Sequence, residues 1–291
     1  MTAAFDIVVT GFVYFEVYVP PDTPFIPGEE HFAPAIPIGL GGALNTASVA
    51  RALGNRTALV YPRGTGLTDR AIDAVIADLG LPTVSITAPA DPAVTLVMSR
   101  DGERSFVSSA RFDAFEAFPP LPATRWIHVP GLAEAHALRE PLARSRATGA
   151  KVSVSASWVP DALDALASLE DTPWDMLVLN AKEAARAAGD AERALTALRG
   201  AAVDIVVTDG PKGAFGIVDG TLIESRGEPL EVSDATGAGD AFAAGLLTAR
   251  VRGAAPRDSI AFARRVAERK LAHRGGVAFD PDVYANLEVK T

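Results

Sequence analysis

The stretch Val232-Ser233-Asp234-Ala235-Thr236-Gly237-Ala238-Gly239-Asp240-Ala241-Phe242-Ala243-Ala244-Gly245-Leu246-Leu247 decides how this chain is read. A strand-like run enters a turn of small residues, one carboxylate follows, and an apolar helix begins. The start of a helix carries unpaired backbone N–H groups and a partial positive charge. The small residues Gly237, Ala238 and Gly239 let a ligand come close to those N–H groups. Asp240 stands at the edge of that nest, where phosphate chemistry can use a base. An anion nest with a base beside it suits the movement of a phosphoryl group onto a hydroxyl.

Outward from this stretch, strand-like apolar runs alternate with Ala-rich helical ones. The pattern predicts strands at 6–10, 57–61, 126–129, 151–155, 176–179 and 205–208. It predicts helices at 45–53, 68–79, 134–148, 161–169, 181–188, 191–198, 240–251 and 255–273. Such alternation argues for an α/β fold with a mostly parallel sheet and helices on both faces. Buried parallel strands read as near-continuous apolar runs, and Ile205-Val206-Val207 fits. Two stretches break the alternation. Residues 12–38 are rich in aromatics, prolines and β-branched residues, and 94–112 holds two short alternating runs around Asp101-Gly102, a hairpin signal. Together they predict a small β appendage, placed to act as a lid over a cleft.

The chain has 291 residues, 48% of them hydrophobic, enough for a full α/β core. Its net charge of −9 and the lack of a basic run argue against nucleic acid and anionic membranes as partners. Without cysteine there is no disulfide framework and no thiolate metal site. His31, His128, His136 and His273 lack metal-ligand spacing. No basic-then-apolar leader opens the chain and no run approaches the ~20 apolar residues of a membrane span. The plain expectation is a cytoplasmic protein.

A second constellation precedes the first predicted long helix. In Gly39-Leu40-Gly41-Gly42-Ala43-Leu44-Asn45 the glycines allow a ligand near the backbone, and Asn45 offers donors and an acceptor to hydroxyls. Read alone, the run is equally a tight turn with Asn45 as N-cap.

The two stretches together resemble the PfkB carbohydrate kinases, the ribokinase-like sugar and nucleoside kinases. Gly41-Gly42-Ala43-Leu44-Asn45-Thr46-Ala47, followed by Gly54 and Gly64, resembles the family's first signature, and Asp234-Ala235-Thr236-Gly237-Ala238-Gly239-Asp240 its second. Between and before them, Gly28-Glu29 resembles the family's Gly-Glu, Asn180-Ala181-Lys182-Glu183 its Asn-x-x-Glu, and Thr208-Asp209-Gly210-Pro211-Lys212-Gly213 its Thr-x-Gly-x-x-Gly. The matches run in family order over almost the whole chain. The resemblance implies one ribokinase-like domain over 1–291, with the lid inserted at about 12–38 and 94–112.

It also implies roles. Asp240 resembles the general base that deprotonates the acceptor hydroxyl, and Gly237, Ala238 and Gly239 the anion hole for the transferring phosphoryl group. Asn180 and Glu183 resemble the motif that organises Mg²⁺ through water beside the phosphates of ATP. Thr208, Gly210 and Gly213 resemble the turn against the nucleotide. Asp234 and Thr236 resemble positions beside a monovalent cation, often K⁺. Gly41, Gly42 and Asn45 fall on the acceptor side. Lid sheets in this family often pair between subunits, which makes a homodimer through the lid an expectation.

The acceptor side departs from the family. Where many members carry Asn-x-Asp after the first strand, this chain has Tyr14-Phe15-Glu16, and Tyr14, Glu16 and Tyr18 would share a strand face. Where many carry Asp-x-Asn, it has Ser155-Ala156-Ser157, and the family's late Asn near the adenine is not identifiable in 262–270. No G-x-x-x-x-G-K-[ST] run and no H-R-D or D-F-G set competes. The expected activity is transfer of the γ-phosphoryl of ATP to a primary hydroxyl of a sugar or sugar-like compound. The alternatives are a nucleoside acceptor (adenosine, inosine or pseudouridine) and a non-catalytic ligand-binding regulator on the same fold.

Overall fold

The computed structural model describes residues 3–21, 23–100, 103–116, 118–228, 230, 232 and 234–290. Its strands, in chain order, are β1 (Phe5–Thr10), β2 (Val13–Val19), β3 (Ile38–Gly42), β4 (Thr57–Arg63), β5 (Thr83–Thr87), β6 (Ala93–Arg100), β7 (Glu103–Ala110), β8 (Thr124–Val129), β9 (Lys151–Ser155), β10 (Trp174–Asn180), β11 (Ala202–Thr208), β12 (Gly213–Val218) and β13 (Thr221–Arg226). The helices are α1 (Ala43–Ala52), α2 (Leu67–Leu79), α3 (Leu132–Ala137), α4 (Arg139–Ala147), α5 (Pro160–Ala165), α6 (Ala181–Ala188), α7 (Ala194–Ala197), α8 (Ala238–Val251) and α9 (Pro256–Leu271).

The large sheet has the order β13-β12-β11-β10-β9-β8-β1-β4-β5. It is parallel from β5 to β11, and β12 and β13 extend it as antiparallel strands. Strand alternation splits the apolar residues between two cores. Ile7 and Val9 pack with α1, α8 and α9 on one face, while Val8 packs with α3, α5 and α6 on the other. All three are fully buried, which is why β1 reads as an unbroken apolar run. Chain direction around β1 reverses the strand order, so β4 lies on one side of it and β8 on the other. In open α/β sheets, ligands bind outside the carboxyl ends of the strands at such a switch point.

Close packing of α8 on α9 explains the small residues after Asp240. A Cβ on Gly245 would lie 2.9 Å from the Ala263 Cα and from Val266 side-chain atoms. Only a residue without a side chain fits that approach.

A second sheet of four strands has the order β3-β2-β6-β7, drawn from the two stretches that break the alternation. β3 starts at Ile38 and runs on to Gly42, so the glycines of the first signature belong to a strand. β6 and β7 pair antiparallel up to Arg100 opposite Glu103, and the predicted Asp101-Gly102 turn lies outside the described residues.

Other expectations are corrected. The predicted helix 134–148 is two helices, broken at Leu138. Pro141 has no N–H for the Ala137 carbonyl and cannot continue a helix through that turn. The pattern reads no strand at β5, β12 or β13: β5 and β13 carry half-exposed, mixed sequences, and the largely buried β12 is short and interrupted by Gly213 and Gly216. The strand-like run before Gly237 forms no strand at Val232 or Asp234, and Ser233 lies outside the described residues. Asp234 is bent instead into a turn, its Oδ1 accepting from the Thr236 N–H at 2.9 Å and from the Thr236 hydroxyl at 2.7 Å.

Candidate active site

α8 begins at Ala238 with Gly237 as its N-cap, in the left-handed conformation at φ 74°. That conformation favours glycine, and a Cβ at 237 would also meet the Gly276 Cα at 2.6 Å. The Ala238 N–H turns back to the Ala235 carbonyl at 3.2 Å. The N–H groups of Gly239 and Asp240 make no backbone hydrogen bond among the described residues. Nothing lies within 4 Å of where a Gly239 side chain would be. Of the predicted nest, Gly239 therefore presents the open N–H, and Ala238 is engaged with its own turn.

The first and second signatures meet at Asp240. Asn45 Nδ2 donates to its Oδ2 at 2.9 Å, and the Thr46 hydroxyl donates to its Oδ1 at 3.2 Å. Both donors are buried in the first turn of α1, whose N-cap is Gly42, so Asn45 is no N-cap. Asp240 keeps part of its surface open, yet burial of its carboxyl pushes its pKa up to about 6. The hydrogen bonds from Asn45 and Thr46 oppose that rise, and the negative charge of Glu16 adds to it. Glu16 is thus near enough for its charge to act on Asp240.

The Glu16 side chain lies over glycines. A Cβ on Gly41 would lie 2.1 Å from Glu16 Oε1, and one on Gly39 would lie 3.9 Å from Oε2. Tyr18 shares the face as predicted, its hydroxyl donating to Glu16 Oε2 at 2.7 Å. Tyr14 goes elsewhere. Its ring packs edge-on to Phe12 at 5.8 Å and against Gly42, and its hydroxyl is 3.5 Å from Glu134 Oε1. Burial raises the pKa of both Tyr14 and Glu134. Glu134 is 6% exposed and gave no signal in the sequence, where it reads as one more helix carboxylate.

Three buried side-chain oxygens have no hydrogen-bond partner among the described residues: Asn45 Oδ1, beside Asp240, and Thr10 Oγ1 and Ser155 Oγ. Thr10 and Ser155 end β1 and β9. Buried polar atoms are almost always satisfied, so orphans gathered at the carboxyl ends mark where a polar ligand belongs.

On the far side of the α8 start lies a cavity of about 300 Å³. Thr208, Gly210 and Gly213 line it together with Ala238, Gly239 and Phe242. The sequence reading missed its other wall, which includes Leu230, Arg264 and Glu268, the last two forming an ion pair within α9. Asn180 and Glu183 do not line this cavity. Asn180 lies opposite Thr208 in the strand register, at the same end of the sheet. They form a capping box, with Asn180 Oδ1 accepting from the Glu183 N–H at 2.9 Å and Glu183 Oε2 from the Asn180 N–H at 2.8 Å. Burial lifts the Glu183 pKa to about 7. An oriented hard-oxygen donor of this kind, which a nearby cation would hold ionised, fits water-mediated contact with Mg²⁺.

A pfkB family carbohydrate kinase model matches residues 6–282. The chain belongs to the pfkB family of carbohydrate kinases. Solved structures share the fold of this family member. A probable sugar kinase from Rhizobium etli CFN 42 aligns with TM-score 0.77 and 18% identity, over 95% of this chain and 96% of that one. Adenosine kinase from Sinorhizobium meliloti aligns with TM-score 0.76 and 18% identity, over 97% and 98%. Ribokinase from Thermotoga maritima aligns with TM-score 0.75 and 17% identity, over 97% and 98%. No helix among the described residues of this pfkB kinase is long and apolar enough to cross a membrane.

Proposed function

We propose that this kinase transfers the γ-phosphoryl of ATP to a primary hydroxyl of a sugar or sugar-like small molecule. The observation that carries the reading is the junction at Asp240, where Asn45 and Thr46 of one signature hold the carboxylate of the other at 2.9 and 3.2 Å. A base must be within reach of the proton it abstracts and ionised at working pH, and a pKa of about 6 meets the second demand near neutrality. ATP would lie in the cavity beside Thr208, Gly210 and Gly213, with its γ-phosphoryl at the start of α8. There the open Gly239 N–H and the helix N-terminus oppose the charge that develops on the transferring group, with Gly237 and Ala238 completing the turn. The acceptor would lie between Glu16, Asn45 and Asp240, against the backbone of Gly41 and Gly42.

Glu183, with Asn180, would hold Mg²⁺ through water, and the bound ion supplies positive charge against the phosphate oxygens. The small sheet carries Glu16 over the cleft and would act as the lid that excludes water. Its opposite face supports self-association. Ile38, Val17, Leu96 and Val107 face one another in register across all four strands, and Ile38, Leu96 and Val107 are 64%, 41% and 56% exposed. A second copy of this chain is the occupant we assign to that apolar row.

A nucleoside acceptor is the second reading, supported by the likeness to an adenosine kinase fold. The Tyr14 ring, however, is committed to Phe12 and Gly42, so it is not a surface on which a base would stack. The test is ATP consumption over a panel of sugars and nucleosides, with Asp240→Asn as control. Turnover of sugars that this substitution reduces by about 10²–10⁴-fold supports the proposal. Turnover that it leaves unchanged sinks the mechanism, and turnover confined to nucleosides moves the acceptor.

A further inference from the structure

Lys270 is 2% exposed, although it lies in the last turn of α9, ahead of an exposed loop. A buried ammonium is costly unless its three donors are satisfied. Its Nζ donates to the backbone carbonyl of Asp234 at 2.8 Å and to that of His273 at 3.0 Å. These oxygens come from the two segments that frame the nest.

The two segments meet around that ammonium. The Gly275 N–H donates to Asp234 Oδ2 at 3.0 Å. Gly276 is wedged so that its Cα would be 2.6 Å from a Cβ on Gly237, while its own Cβ would be 2.5 Å from the Asn45 side chain. The Ala278 N–H ties the far end of the loop to Ser48 Oγ on α1 at 2.9 Å. The loop is thus the partition between the anion nest and Asn45, and Lys270 ties its start to the turn that precedes the nest.

The resemblance of Asp234 and Thr236 to a monovalent-cation site meets this arrangement directly. Such an ion is held by oxygens, chiefly backbone carbonyls brought together from separate segments. Here the Asp234 and His273 carbonyls already receive an ammonium. Asp234 Oδ1 receives two hydrogen bonds from Thr236, and its Oδ2 one from Gly275. The residues present do not fit K⁺. We propose that Lys270 is a built-in cation, which holds the nest and the Gly275-Gly276 loop together from within the chain and makes the enzyme independent of monovalent cations. Lys270 is a positioning residue in this view, and the proposal rests on the reading of the nest as the phosphoryl site.

The test compares KCl with tetramethylammonium chloride at equal ionic strength. Wild-type protein without nucleotide should melt at the same temperature in both salts, and its ATP turnover should agree within a factor of two. Lys270→Ala, which removes the ammonium and leaves room at the carbonyls, should lose at least tenfold in turnover in tetramethylammonium. It should recover both turnover and melting temperature in KCl, while Lys270→Met, which fills the space without charge, should not recover. Selective stabilisation or activation of the wild type by K⁺ overturns the proposal, and that result needs no variant to fold. Failure of Lys270→Ala to respond to K⁺ overturns it as well. The melting measurement needs no turnover, so a chain inactive on every acceptor would fail the kinase reading while leaving this one decided.

Discussion

Asn45 and Asp240 lie 195 residues apart in the chain, yet Asn45 Nδ2 donates to Asp240 Oδ2 at 2.9 Å. The bond favours the ionised carboxylate, while burial favours the protonated one, and burial is the larger influence. The turnover of this kinase under kcat/KM conditions should therefore fall as pH drops through about 6, as the base takes up its proton. Asn45→Leu removes the donor and should move that acid limb to higher pH. An acid limb in the same place in both proteins would show that Asp240 is not the titrating group.

The same carboxyl makes a prediction for stability with the opposite sense. Its folded pKa of about 6 stands above the ordinary value of 3.8. The native state therefore binds the proton more tightly, and the stability this provides is present at low pH and lost as pH rises through about 6. At pH 8 the ionised, half-buried group is a burden, and Asp240→Asn should stabilise the fold by roughly 1–3 kcal/mol. The gain should shrink as pH falls from about 6 and approach zero only below 3.8. Thermal melts of both proteins across this range check it, and a difference that does not depend on pH would rule out burial of charge as its cause.

The two glycines of the nest should respond in opposite ways. Gly237→Ala places a side chain at φ 74° and against the Gly276 Cα, so it should destabilise the protein by at least about 1–2 kcal/mol. Gly239→Ala meets nothing within 4 Å and puts a better helix former in the first turn of α8. It should leave the melting temperature unchanged or slightly higher. If a phosphoryl group approaches the Gly239 N–H, the new methyl will stand in its way and turnover should drop by tenfold or more. Chemical denaturation beside steady-state kinetics separates the two, and full activity of Gly239→Ala would move the anion away from this turn.

Much of the fold could be read because its central strands are buried on both faces. Ile7-Val8-Val9 and Ile205-Val206-Val207 must be apolar throughout, so they stand out as runs. The edge strand β13 shows no such run because most of it is exposed, and glycines interrupt the run in β3 and in the largely buried β12. The turn and helix carrying Asp240 were legible for a different reason, since small residues before a carboxylate and an apolar helix have few other uses. What could not be read is which polar residues the topology buries. Glu134 and Lys270 look like the solvent-facing charges of any helix, and only the packing of distant segments makes them interior. Thr46 lies within the first signature, yet its bond to Asp240 depends on how α1 meets α8.

Glu16 gives a prediction confined to the acceptor. Its charge acts on Asp240, and its carboxylate faces the bare backbone of Gly41. Glu16→Gln keeps the shape and removes the charge and one acceptor for hydroxyl donors. It should raise KM for the acceptor about tenfold or more, with KM for ATP within a factor of two. Removal of the Glu16 charge should also lower the Asp240 pKa, which moves the acid limb of the pH profile downwards. Equal changes in both KM values would place Glu16 in lid closure as a whole.

The apolar row on the outer face of the small sheet makes the last prediction. Ile38, Val17, Leu96 and Val107 are adjacent in register, so a single patch crosses four strands on the face opposite Glu16. Burial of that row against a second copy would remove apolar surface from water at about 25 cal/mol per Å². One charge at its centre would have to be desolvated without a partner, which costs several kcal/mol. Wild-type protein should sediment as a dimer at micromolar concentration, and Leu96→Glu as a monomer of unchanged melting cooperativity. The lid carries Glu16, so the monomer should also show a weaker acceptor KM while ATP binding persists. A wild-type monomer at all accessible concentrations would leave the patch without the occupant assigned to it and the lid complete in one chain.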